Sequence, residues 1–226
     1  MGQAYPCLCW MATVGGGIDV WPGEALRYDV TMRKIILLLL CLPLLAACSA
    51  RIVAPVPLEQ PRAIFVLDHG RHSSLVLSRA DGSLLRYSYG DWRYYAEGEI
   101  GFWDGLRAVF VPTAAAMGRR ELPGPADAAR LPGQVRVLIV HLHPLQAEAA
   151  RVDQLIVELD RIYHDGQGQR HYRAAFDLEF VPHPVPYTLW HNSNRVVAEW
   201  LMQLGLQVEG RAVLSRWQVD ERDGLR

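Results

Sequence analysis

The chain has 226 residues and carries 23 basic against 24 acidic side chains, a balance that argues against a nucleic acid partner, for which a basic face is needed. Half of the residues are hydrophobic, enough for a proper core, and the length suits a leader plus one domain rather than two domains.

Residues 1–31 contain Gly15, Gly16 and Gly17 together with Cys7 and Cys9, and they make an odd preface to an export signal. Met32 is expected to be the true start, with a short disordered extension as the other reading. A myristoylation signal is ruled out because Pro6 stands where that motif wants Ser or Thr. Residues 32–47 have the three-part layout of a signal peptide: Arg33 and Lys34, an apolar run from Ile35, and the small residues Ala46 and Ala47. The run is broken by Pro43 and is too short for a hydrocarbon core about 30 Å thick.

Leu45-Ala46-Ala47-Cys48 resembles the lipobox of bacterial lipoproteins. The resemblance implies that Cys48 receives the lipid, that the peptide is cut just before it, and that palmitate-like chains anchor the protein. Each buried methylene is worth about 0.8 kcal/mol, so several chains hold where one lets go. Ser49 stands where an aspartate would favour retention at the inner membrane, so the periplasmic face of the outer membrane is the expected location. The cysteines are Cys7, Cys9, Cys41 and Cys48, and the single lysine is Lys34. A mature chain beginning at Cys48 therefore has no disulfide, no free thiol and no lysine chemistry.

Residues 48–62 are interrupted by prolines and lack periodicity, and they are expected to be an extended lipidated tether. A single α+β domain is expected over 63–226. Its β signals begin with 63–67, 72–78 and 84–89; Asp81-Gly82 between the last two predicts a hairpin turn. Residues 101–111 predict a short amphipathic helix stopped by Pro112, and 122–133 a loop. Residues 135–143 (VRVLIVHLH) predict a central, β-branched strand. Val152, Leu155, Ile156, Leu159 and Ile162 then recur at helical spacing, with Asp165-Gly166-Gln167-Gly168 as the stop. Residues 176–181 alternate like a strand, and 182–186 (PHPVP) predict a proline-rich crossing. His191-Asn192-Ser193-Asn194 precedes a helical pattern from Val196 to Leu204, with Gly205 as the stop.

The strings DHGRHSSLVL, LLRYSYGDWRYY and NSNRVVAEWL resemble an uncharacterised bacterial protein family often noted beside urease gene clusters. Their order is also similar to circularly permuted papain-like proteins, including NlpC-type cell-wall hydrolases and lecithin:retinol acyltransferase-like enzymes. The resemblance implies a mostly antiparallel sheet packed by a few helices. It places Ser193 at the nucleophile position with Asn192 beside it, and His72 as the base. A nucleophile at a helix N-terminus feels the positive end of the macrodipole, and free N–H groups there can hold an oxyanion. Two departures stand out: Ser193 replaces the expected cysteine, and Arg86 lies where relatives place an acidic residue.

Each of these residues also has a plainer role. Ser and Asn at a helix start are ordinary caps. A His at a strand start is commonly a hydrogen-bonded boundary residue. Tyr87, Tyr89, Trp92, Tyr94 and Tyr95 are an expected core or hairpin cluster. His69 with His72, His141 with His143, and His183 with His191 compete as metal ligands, but no HExxH or cysteine pair accompanies them, so no metal and no cofactor is expected. Two functions follow: a degenerate binding or scaffolding module in the envelope, or a hydrolase or acyltransferase acting on amide or ester bonds of cell-wall peptide or lipid through Ser193 and His72. The expected partners are the membrane, through Cys48, and peptidoglycan or envelope lipid.

Overall fold

A computed structural model describes residues 49–55, 57–98 and 111–220, all within one unit of the chain, Ala46–Arg226. The expected signal peptide, Cys48, the segment 1–31 and most of the expected helix 101–111 lie outside the described residues.

The frame is a seven-stranded antiparallel sheet with the order β6-β2-β3-β4-β5-β8-β7. Its strands are β2 (Pro61–Asp68), β3 (Ser73–Ser78), β4 (Leu84–Asp91), β5 (Thr113–Leu122), β6 (His141–Glu148), β7 (His171–Arg173) and β8 (Leu178–Tyr187). A second sheet joins β1 (Ala50–Val53) antiparallel to β9 (Gln207–Gly210) and parallel to β10 (Trp217–Asp220). Helices α1 (Ala149–Asp165) and α2 (Ser193–Gln203) complete an α+β fold dominated by antiparallel sheet.

Successive side chains of a strand point to opposite faces, so each strand feeds two layers. One face carries Ile64, Val66, Leu75, Leu77, Tyr87 and Met117 against Val152, Leu155, Leu159, Val197 and Leu201 of the two helices, and we call it the helix face. The opposite face carries Phe65, Leu67, Val76, Leu84 and Leu122 under Leu131 and Val135 of the loop after β5. Further along, that face holds Tyr95, Ala116, Leu178 and Phe180.

The hairpin forms at the expected turn. Gly82 takes φ +86, and the Asp81 carboxylate accepts from the Ser83 N–H at 2.9 Å. α1 buries the expected stripe and ends at Gly166, and Gly205, at φ +92, follows the last turn of α2.

Three expectations are corrected, and one strand was not expected. The strand predicted over 135–143 is displaced: 135–140 is irregular, and the strand runs His141–Glu148 at the sheet edge rather than its centre. An edge strand leaves one row of N–H groups without ladder duty, which is why it accommodates Pro144. The crossing predicted at 182–186 belongs to β8. β7 pairs only with Leu178, Glu179 and Phe180, so the proline-bearing half of β8 has an open side, and its register to β5 shifts between Thr113 and Ala115, a setting in which strand prolines are tolerated. Part of the segment 48–62, predicted as a tether, is fold: Ala50–Val53 form β1, which buries Ala50 and Ile52 completely, and Pro61 and Arg62 open β2. The strand β5 has no counterpart in the sequence reading. Its Ala116 and Gly118 lack β propensity but lie with the rings of Tyr95 and Phe180, and a Cβ at Gly118 would meet Phe180 at 2.7 Å.

Candidate functional site

The opening of α2 is held by its asparagines. Asn192 is the N-cap: its side-chain oxygen accepts from the N–H groups of Asn194 and Arg195, each at 3.0 Å, while its Nδ2 donates to the carbonyls of Leu189 and Val213. Ser193 occupies the first helical position and is 5% exposed. Asn194 accepts from Ser73 Oγ at 2.9 Å and donates to the carbonyls of Arg71 and Val213. Ser73 Oγ in turn accepts from Trp217 Nε1 at 2.7 Å. The cap role thus falls to Asn192, not Ser193, and the side chain that β3 sends to α2 is Ser73.

His72 precedes Ser73, and alternation along the strand directs the two to opposite faces. The His72 ring stacks on His69 at 4.9 Å and meets Tyr95 and Phe176 edge-on. Tyr95 belongs to the apolar cluster on the face away from the helices. No hydrogen bond joins His72 to Ser193. Of the three expected site residues, the fold brings Asn192 and Ser193 together and sends the His72 ring elsewhere.

Behind the two histidines lies Arg86, 1% exposed. Its Nε donates to Ser74 Oγ at 3.0 Å, its Nη1 to the Phe176 carbonyl at 3.1 Å, and its Nη2 reaches His69 Nε2 at 3.1 Å. His69 Nδ1 lies 2.7 Å from the Leu138 carbonyl and must carry the proton to donate to it, which leaves Nε2 as the acceptor facing the guanidinium. Burial and then the Arg86 charge hold His69 down to about 3. Burial and Arg86 likewise hold His72 down to about 4, against the opposing pull of Asp68. Burial, followed by repulsion from Arg120, lowers Arg86 itself to about 9. The neighbouring carboxylate of Asp177 is engaged by Arg120.

Asp68 also lies near His72 and favours its charged form. Its carboxylate accepts from the Gly70 N–H at 2.6 Å, closing the tight turn that carries His69 to His72. The Asp68-His69-Gly70 string was the available signal.

The aromatic string divides between the faces. Tyr87 donates to Asp160 at 2.8 Å and Tyr89 to the Val185 carbonyl at 3.0 Å, both under the helices, whereas Tyr95 covers Gly90 on the other side. A Cβ at Gly90 would run into the Tyr95 ring. Gly90→Ala is therefore expected to displace that ring and cost about 1–3 kcal/mol by overpacking, read as a lower urea midpoint. Among the described residues, no group of three or more His, Cys, Asp or Glu side chains is arranged to hold a metal. Comparison with family models, with curated proteins and with solved structures returns no match for this chain.

Proposed function

We propose that this chain is a lipid-anchored protein of the bacterial envelope, held through Cys48 at the periplasmic face of the outer membrane. Its domain is a degenerate, permuted papain-like module that binds or scaffolds rather than catalyses. The observation that carries this reading is the state of His72. Its ring is packed against His69, Tyr95 and Phe176, held down to about 4, and makes no hydrogen bond to Ser193. A working base needs a pKa near the operating pH and hydrogen-bond reach of its nucleophile. An arginine backs the histidine pair where a carboxylate would orient a catalytic ring.

The competing hydrolase or acyltransferase reading draws on Ser193 at the positive end of α2, flanked by Asn192. Labelling with a serine-reactive fluorophosphonate and incubation with peptidoglycan fragments, wild type beside Ser193→Ala, separate the two. The expected result is neither labelling nor turnover in either protein. Ser193-dependent labelling would sink the non-catalytic reading. In Ser193→Cys, alkylation of the new thiol is expected to proceed at the same rate with His72 present or replaced by alanine.

A further inference from the structure

The first strand begins two residues after Cys48, and the chain there is clasped by another segment. Ala50 pairs with Gly210 on one side and Trp217 on the other. Loop 211–216 joins these two partners and therefore crosses the start of β1. The Ala50 N–H donates to the Arg216 carbonyl at 3.0 Å. The same loop touches the α2 opening, where the Val213 carbonyl accepts from both Asn192 and Asn194. Asn194 also bonds the Arg71 carbonyl, which brings Arg71 to this end.

Two residues of chain span at most about 7 Å. An acyl group on Cys48 would thus hold this end of the domain at the lipid headgroups, with no slack to let it turn away. Its exposed charges suit that position. Arg71, Arg211 and Arg216 are exposed, Arg51 is paired with Asp220 at 2.9 Å, and Glu209 stands opposite Arg51 in the β1–β9 register. Cations beside a lipid anchor add to it by attraction to anionic headgroups.

We propose that the end of the domain formed by the start of β1, loop 211–216 and the opening of α2 is a membrane-docking face. Its arginines Arg71 and Arg211 meet anionic phospholipid headgroups, and the α2 opening is turned toward the bilayer. The proposal rests on acylation of Cys48, and its test separates the two claims.

The mature chain has no other thiol, so single reporters are clean. The full chain is expressed with Glu209→Cys, beside the docking face, or with Asp81→Cys, at the hairpin tip beyond the other end of β3. Each is labelled with a polarity-sensitive fluorophore after acylation of Cys48 has been verified by intact mass. The proteins are placed in phosphatidylethanolamine vesicles with or without phosphatidylglycerol, doped with a headgroup quencher. The label at 209 is expected to be quenched several-fold more than the label at 81. The difference should shrink without phosphatidylglycerol, in Arg71→Glu/Arg211→Glu, and when a flexible Gly/Ser insertion of about ten residues separates Cys48 from Ser49. Equal quenching of the two labels in an acylated protein would overturn the docking face and leave the anchor standing. A quenching difference untouched by the charge reversal would overturn the role of the arginines. A mass without acyl chains would overturn both claims.

Discussion

Between pH 7 and pH 4.5 the domain is expected to lose about 5 kcal/mol of stability through His69 and His72 alone. In the unfolded chain both rings titrate near 6.5, while in the fold they are held to about 3 and about 4, principally by burial and then by Arg86. Below pH 6.5 the unfolded chain takes up protons that the folded chain refuses, so acid favours unfolding. The contribution is fully present above that value and is lost as pH falls toward the folded values. Each ring gives about 2.5 kcal/mol at pH 4.5 by linkage, and together they approach the whole stability of a typical domain. The groups around the rings leave little relief. Arg86 opposes protonation of both, His72 opposes that of His69, and Asp68 is the carboxylate that favours protonation of His72. Urea unfolding at the two pH values measures the loss. His72→Gln should shrink it by about half, and an unchanged loss in that variant would show that the ring does not stay neutral in the fold.

Asn194→Ala is expected to cost about 3 kcal/mol, more than an ordinary cap substitution at about 1 kcal/mol. Asn194 is 1% exposed, and its amide ties α2 to two stretches distant from each other in sequence: Arg71 to Ser73, through the Arg71 carbonyl and the Ser73 hydroxyl, and loop 211–216, through the Val213 carbonyl. Removing the amide leaves two part-buried carbonyls without that donor and the buried Ser73 hydroxyl without its acceptor, and partial loss from a polar network costs more than its average bond. Ser73 Oγ also accepts from Trp217 Nε1, so Trp217 fluorescence reports the local change while the urea midpoint reports the global one. A variant with an unchanged midpoint would mean that water or a neighbour replaces the amide.

The Arg86 network shows why the site was only half legible. The family resemblance set Arg86 where an acidic residue is expected, but the sequence carries no sign that Arg86 is buried on the face away from the helices. That outcome depends on the parity of Arg86 along β4, on its neighbour Arg120 in β5, and on the Phe176 carbonyl arriving from ninety residues downstream. β5 was itself unreadable, because alanine, glycine and arginine have no strand signature. Only the covering rings of Tyr95 and Phe180 make small residues the right choice there. The shifted β6 has the same kind of cause. The β-branched run before it packs as an irregular cover over Phe65 and Leu67, and the ladder to β2 begins only at His141.

By itself the sequence determined whatever depends on local chemistry. Asp81-Gly82 turns a hairpin, the apolar period makes α1, the polar quartet 191–194 and Gly205 bound α2, and the chain from Cys48 onward holds neither a second thiol nor a lysine. Only the tertiary structure decided which face each strand residue meets. A strand alternates its side chains with every step, so adjacent residues share no environment, and the sheet sends Ser73 to α2 and the His72 ring to Arg86 and His69.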